Sequence, residues 1–288
     1  MKSVLCVVTL LLSISMFGQS NPEWRSWNQP VEPFRIIGNI YYVGASDVTS
    51  FLITSPQGHM LLDGGFPETA PMIRDNIRKL GFRLGDVKYL INSHAHFDHA
   101  AGLAQLKQWT GAQFVASRED GALIARGERG DFAWGDKLTF PPLQPDRIIG
   151  DGESVSTGSV TMIAHLTPGH TKGCTTWTTE AEENGRRYNV VFLCSTSVPG
   201  YKLVNNPNYP NIVRDYRHTF AYLRTLPADV FLASHGSFFH LTQKRDALAV
   251  HPKQNPFIVP GEFQAYVERS QREFEEELKK QQQARRSQ

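Results

Sequence analysis

The sequence is poor in cysteine and nearly balanced in charge. It contains only three cysteines in 288 residues, and its net charge is only +2. It has no internal repeat and no basic stripe with interleaved aromatic residues, so nothing in it indicates a nucleic-acid-binding surface. Hydrophobic residues make up 40% and charged residues 20% of the chain, which is ordinary for a globular protein that can bury a sizeable core.

Only one long apolar run is present, at residues 4–17, directly after Met1-Lys2-Ser3. Small residues follow at 18–20, and Asn21-Pro22 ends the stretch. The run is too short for a membrane span and has the order of a secretory signal peptide. We predict a signal peptide over residues 1–20, cleaved near Ser20, and a periplasmic or secreted single domain over residues 21–288. An uncleaved membrane anchor is the alternative, and Cys6 lies too early to be a lipoprotein acceptor.

Removal of the signal leaves two cysteines, Cys174 and Cys194. Residues 175–178 and 190–193 predict two strands joined by a polar turn over residues 181–187. A hairpin folded about Asn184 places Cys174 opposite Cys194, which is near enough for a disulfide. A disulfide and two buried free thiols remain equally open at this point.

The order of predicted elements indicates the fold class. Short strands are followed by a helix in each half of the chain, which favours an α+β fold of two mixed sheets packed together with helices outside. The predicted helices include residues 69–80, 100–109, 119–126, 211–225 and 262–280. Residues 281–288 are predicted to be a frayed, disordered tail. Residues 127–145 are predicted to be a long loop, which in a compact domain is usually functional.

The most informative motif is present at residues 94–99, directly after an apolar strand: His94-Ala95-His96-Phe97-Asp98-His99. It gathers three imidazoles and a carboxylate from a chain with only ten histidines. Imidazole and carboxylate are the ligands that zinc prefers. The motif therefore predicts a zinc site.

The spacing of these residues favours two metal sites. His94 and His96 point to the same side of an extended segment, while Asp98 and His99 follow across a turn. His170 and His235 are predicted to complete the two sites, because each follows a strand and adjoins a glycine or small residue. The predicted sets are His94, His96 and His170 for one zinc, and Asp98, His99 and His235 for the other.

Three protein ligands per metal leave open positions, as in catalytic zinc sites. Two zinc ions can share a hydroxide and hydrolyse an acyl bond, with Asp98 as a catalytic ligand that orients this hydroxide. His240 competes with His235 for the second set. Asp63 is either a carboxylate that orients a ligand histidine or a turn residue. The remaining histidines are expected to be ordinary surface or core residues: His59, His165, His218, His240 and His251.

The motifs resemble those of the metallo-β-lactamase superfamily over residues 34–259. The resemblance depends on residues 61–65 (Leu-Leu-Asp-Gly-Gly), 93–99 and 167–171 (Thr-Pro-Gly-His-Thr). Within the superfamily, residues 132–149, 169–177 and 199–216 are most similar to the third subclass of class B β-lactamases.

This resemblance implies a four-layer αβ/βα sandwich with two Zn²⁺ between the sheets. It also implies that Ser195 and Ser197 bind the carboxylate of the substrate. Other subclasses place a cysteine where this chain has Ser195, and most related thioesterases and lactonases place an aspartate on that strand. Cys194 lies one residue away, and strand alternation favours Ser195 facing the metals.

The sequence therefore predicts an exported dizinc hydrolase of the β-lactam amide bond of penicillins, cephalosporins and carbapenems, which confers antibiotic resistance. The expected partner is the small-molecule β-lactam, with no nucleic acid, no membrane in the mature form and a monomeric state. One alternative is an exported lactonase or other ester hydrolase on the same metals. Another is a metal-binding or interaction protein with a vestigial site.

Overall fold

The first of two β-sheets has seven strands, which lie side by side in chain order. A computed structural model describes residues 21–286. The first four strands pair antiparallel, and from the fourth strand onward the pairing is parallel. The strands are β1 (Phe34–Ile37), β2 (Ile40–Tyr42), β3 (Phe51–Ile53), β4 (His59–Leu62), β5 (Val87–Ile91), β6 (Gln113–Ser117) and β7 (Arg147–Ile149).

The second sheet has five strands in the order β12-β11-β10-β9-β8. All neighbours are antiparallel except β11 and β12, which run parallel. The strands are β8 (Ser154–Thr157), β9 (Val160–Leu166), β10 (Thr175–Glu183), β11 (Arg186–Leu193) and β12 (Val230–Ala233).

Eight α-helices are present among residues 21–286. They are α1 (Pro22–Trp27), α2 (Thr69–Lys79), α3 (Phe97–Ala100), α4 (Leu103–Thr110), α5 (Arg118–Ile124), α6 (Ile212–Leu223), α7 (Leu241–Val250) and α8 (Glu262–Arg286). Two hydrophobic clusters lie between these layers. Leu52, Leu61 and Leu90 belong to a cluster shared with α2 and α4, whereas Phe51, Leu62 and Ile91 belong to one shared with the second sheet and α6. The predicted αβ/βα sandwich is therefore confirmed.

The hairpin of β10 and β11 differs from its prediction by one residue of register. Its turn consists of Asn184 and Gly185, both with positive φ (54° and 76°), as a two-residue hairpin turn requires. The ladder pairs Trp177 with Phe192. Continued outward, this register sets Cys174 opposite Ser195, so the prediction that it lies opposite Cys194 is wrong.

The two cysteines nevertheless form a disulfide. Cys174 and Cys194 lie just beyond the paired residues, with their Cα atoms 5.9 Å apart. Outside the regular ladder, neighbouring side chains are not held to opposite faces, so this diagonal bridge is possible. The structure thus selects the disulfide over two free thiols.

The end of the chain also differs from its prediction. Helix α8 continues to Arg286, so the predicted frayed tail is wrong over residues 281–286. Gln281 explains the difference, because its side-chain amide donates to the Tyr201 carbonyl and accepts from the Leu203 amide, each at 2.8 Å. These two bonds, together with the burial of Leu278, hold the last turns against the protein. No helix in residues 21–286 is long and apolar enough to cross a membrane. The predicted signal peptide lies outside the described residues.

Candidate metal centre

The predicted ligands come together where strands of both sheets end. Residues 94–99 follow β5 of the first sheet, while His170 follows β9 and His235 follows β12 of the second sheet. The turn after β5 leads directly into α3, which carries Asp98 and His99. Packing of the two sheets therefore brings distant parts of the chain to one place.

The first predicted set forms a buried group of three histidines. One nitrogen from each of His94, His96 and His170 lies within 4.8 Å of the others. His96 Nδ1 is 3.1 Å from His170 Nε2. The ring centroid of His94 lies 4.9 Å from that of His96 and 4.7 Å from that of His170. Three nitrogens at these separations can converge on one ion.

The second predicted set is equally close. Asp98 Oδ2 lies 3.1 Å from His99 Nε2 and 3.4 Å from His235 Nε2, and the two histidine nitrogens are 3.3 Å apart. His94 connects the two sets, because its ligand atom also lies within 4.8 Å of those of Asp98 and His99. His240 is exposed and directly precedes α7, so it does not compete with His235.

Hydrogen-bond partners on the outer side of three histidine rings determine which ring nitrogen faces the centre of the site. Ser93 Oγ lies 3.0 Å from His94 Nδ1. His170 Nδ1 donates to the Ser197 carbonyl at 2.9 Å, and His235 Nδ1 donates to Asp47 Oδ2 at 2.8 Å. Each of these contacts leaves Nε2 as the free nitrogen, which is how proteins orient histidines for a metal.

Asp47 was not identified from the sequence. It follows β2, and a bridge between Val48 and His235 brings it next to its partner. Its other carboxylate oxygen accepts from the Ser237 amide at 2.6 Å. No local pattern signals this role, because the two residues are 188 positions apart.

Asp63 mainly supports the loop that precedes the ligands. It accepts hydrogen bonds from the amide and hydroxyl of Ser93, at 2.7 and 2.6 Å, and lies 3.7 Å from His99 Nδ1. That nitrogen is buried and has no hydrogen-bond partner. Asp63 has a left-handed backbone (φ 64°) directly before the two glycines, so both interpretations of this residue hold in part.

The two sets differ in charge. Burial lowers the pKa of His94 and His170 well below the usual value and that of His96 to about 4, so these rings are neutral. Burial opposes a charge on His99 too, but Asp98 and Asp63 outweigh it and raise the pKa of His99 to about 10. Partial burial of Asp98 opposes its charge, yet its contacts with His99 and His235 hold its pKa well below the usual value. Without a metal, the second set therefore holds a carboxylate beside a protonated imidazole.

The predicted substrate residues lie beside His170. Ser197 Oγ is 3.3 Å from His170 Nδ1 and 3.2 Å from Ser195 Oγ. Cys194 is held in the disulfide, so its thiol is not available as a metal ligand. The loop over residues 127–145 reaches the same region. Its Phe132 packs against Tyr201, with the two ring centroids 4.9 Å apart. The Tyr201 hydroxyl donates to the His170 carbonyl at 3.1 Å.

Nitrogen and carboxylate donors in this arrangement suit a divalent metal ion such as zinc. Five imidazoles and one carboxylate converge, and the described residues provide no other group of three or more possible metal ligands within 4.8 Å of one another. The residues present therefore fit a metal centre.

Comparison with known proteins agrees with this geometry. The chain is similar to a metallo-beta-lactamase of Cronobacter sakazakii described by a HARLDQ motif, with a TM-score of 0.86 and 42% identity over 90% of this chain and 98% of that one. It is also similar to BJP-1, a subclass B3 metallo-beta-lactamase of Bradyrhizobium japonicum, with a TM-score of 0.85 and 39% identity over 90% of this chain and 98% of that one. Residues 94–99 here carry two histidines where the HARLDQ motif has arginine and glutamine.

A curated relative is more distant. The human mitochondrial persulfide dioxygenase ETHE1 is 34% identical over 111 residues, which are 38% of this chain and 34% of that protein. The match thus spans about a third of that relative. The family model of the metallo-beta-lactamase superfamily matches residues 43–235, more than half of the sequence. The chain belongs to the metallo-beta-lactamase superfamily, and its similarity extends to subclass B3.

Proposed function

We propose that this protein is a zinc-dependent hydrolase of the β-lactam amide bond. The observation that carries the proposal is the pair of adjacent ligand sets, three neutral histidines beside an Asp-His-His group. Similarity to metallo-beta-lactamases over nine-tenths of the chain supports it. The proposed catalytic domain covers residues 21–288.

We propose two Zn²⁺ ions as the cofactors. His94, His96 and His170 would hold one, and Asp98, His99 and His235 the other. When bound, zinc supplies Lewis acidity to a carbonyl oxygen and makes water acidic enough to ionise near neutral pH.

The chain's own residues have separate roles in this proposal. Asp98, kept ionised by His99 and His235, is placed to accept a hydrogen bond from the attacking water and orient it. Asp47 holds His235 through its Nδ1. Ser195 and Ser197 are proposed to bind the substrate carboxylate through their hydroxyls. Phe132, which packs against Tyr201, is proposed to form one aromatic wall of the substrate site.

We also propose that the protein is exported. The apolar residues 4–17 support a signal peptide with cleavage near Ser20, and a mature protein in the periplasm or medium. The disulfide is consistent with an oxidising compartment. We propose a monomeric enzyme that confers antibiotic resistance on the cell that exports it.

One assay tests the activity. Purified, zinc-loaded protein is expected to open a chromogenic cephalosporin, a penicillin and a carbapenem, to lose this activity with a chelator and to recover it with added zinc. Turnover of acyl lactones without turnover of any lactam would instead select the lactonase. The segment directly after β11 opposes that outcome, because it carries Cys194 and Ser195 where most lactonases of this fold carry an aspartate.

Metal binding is expected to release protons from one of the two sets. His99 has its pKa raised to about 10, so it is protonated at pH 7 and must lose this proton to bind a metal. The first set has lowered pKa values and is already neutral. The affinity of the second set should therefore rise with pH up to about pH 10, while that of the first set should change little above pH 7.

Calorimetric titration of the metal-free protein with Zn²⁺ at pH 7, in buffers of different ionisation enthalpy, measures this release. We expect one metal equivalent to release at least one proton more than the other, because only the second set carries a protonated imidazole. Equal release for both equivalents would contradict the assignment of charge.

A further inference from the structure

Asp120 is a buried carboxylate that links two segments of the metal centre. Its side chain is only 2% exposed. Its Oδ2 accepts from the Ala95 amide at 3.1 Å and from the Thr171 hydroxyl at 2.6 Å. Its Oδ1 accepts from the Gly173 amide at 2.8 Å. A buried carboxylate is stable only when such donors replace water, so all three bonds matter.

Two of the groups that donate to Asp120 belong to residues next to the three histidines in the sequence. Ala95 separates His94 from His96, and Thr171 directly follows His170. The first pair follows a strand of the seven-stranded sheet, whereas His170 follows a strand of the five-stranded sheet. One carboxylate on α5 therefore connects the two loops that supply the three-histidine set.

The contact between Gly173 and the start of α5 leaves no room for a larger side chain at Gly173. A Cβ added at Gly173 would lie 2.4 Å from the Asp120 amide nitrogen and 2.4 Å from Ser117 Oγ. Ser117 Oγ also donates to the Gly173 carbonyl at 2.6 Å. The loop after His170 is therefore held against the start of α5 by both its amide and its carbonyl.

We propose that Asp120 is a positioning residue for the three-histidine metal site. It acts through the backbone of Ala95 and through Thr171, and sets the distance between the His94–His96 pair and His170. The inference rests on the proposed function, because it assumes that these histidines bind a metal. Substitutions of groups that orient metal ligands typically lower metal affinity 10–100-fold.

Four variants separate positioning from general stability. Asp120→Asn keeps the shape of the side chain and turns one acceptor oxygen into a donor that faces another donor. Thr171→Val removes one hydrogen bond and keeps the shape, whereas Thr171→Ser keeps the hydroxyl. Glu119→Gln is the matched control, because it makes the same carboxylate-to-amide change on the exposed neighbour of Asp120.

The experiment measures zinc affinity by competition with a chromogenic chelator, together with thermal unfolding of each metal-free variant. We expect Asp120→Asn and Thr171→Val to weaken one of the two zinc equivalents by roughly 10–100-fold. Thr171→Ser and Glu119→Gln should match the wild type. The affinity is compared at a temperature at which every metal-free variant is fully folded.

Either of two results would overturn this inference and leave the proposed function intact. One is wild-type affinity in both Thr171→Val and Asp120→Asn. The other is equal weakening of both zinc equivalents in proportion to lost stability, which indicates a purely structural role. A wild-type protein that binds no zinc would overturn the proposed function, and this inference with it.

Discussion

Replacement of His235 with asparagine is expected to remove most of the lactam hydrolysis, whereas the same change at His240 is expected to leave it largely intact. His235 Nε2 lies 3.3 Å from His99 Nε2, and its other nitrogen is held by Asp47. The change removes a proposed metal ligand and leaves the Asp47 carboxylate without its partner. The loss in kcat/KM should exceed the roughly 10–100-fold typical of partners that only orient a ligand.

His240 is a suitable control because it lies only five positions along the chain and is exposed. Its backbone is left-handed (φ 59°), a conformation that asparagine adopts more readily than most residues. The measurements are kcat/KM for a chromogenic cephalosporin and the number of zinc ions bound per chain. Equal losses in the two variants would contradict the assignment of His235 to the second set.

The second large effect is expected from the disulfide. The bridge between Cys174 and Cys194 closes a loop with a sequence separation of 20. Its removal in a Cys174→Ser, Cys194→Ser variant should lower the free energy of unfolding by about 3 kcal/mol, because the unfolded chain regains the entropy of that loop. Urea denaturation of both proteins measures the difference.

Reduction provides the control for this experiment. A reductant should lower the stability of the wild type by a similar amount and leave the double variant unchanged. The protein lacking residues 1–20, when denatured without reductant, should contain no free thiol. Two free thiols would contradict the bridge and return both cysteines to the role of small buried residues.

Much of the fold could be predicted from patterns that are local. Strand β9 and strand β5 follow their apolar runs, and the helix over residues 69–79 ends at the predicted place within one residue. Helix α7 had no such pattern, since it buries only Leu241 and Lys244. The last turns of α8 depend on Gln281 reaching the backbone of a distant segment, which no local pattern reveals.

In the metal centre, too, local patterns predict some residues, and contacts between distant segments decide others. Four of its proposed ligands lie within six residues, and His170 and His235 each follow a strand next to a glycine, so their convergence could be predicted. Asp47 could not, because only the packing of the chain places it beside His235. The hairpin register depended on whether the turn had one central residue or two, which a polar stretch over residues 181–187 does not decide.

The origin of the ligands from both sheets has a consequence for folding. His94, His96, Asp98 and His99 follow a strand of the first sheet, and His170 and His235 follow strands of the second, so each proposed set takes two residues from the first sheet and one from the second. Each proposed set is therefore complete only when the two sheets are docked. By mass action, free metal at 100 times its dissociation constant would stabilise the native chain by about 2.7 kcal/mol. In the proposed role, loss of zinc would therefore lower the stability of the folded chain together with its activity.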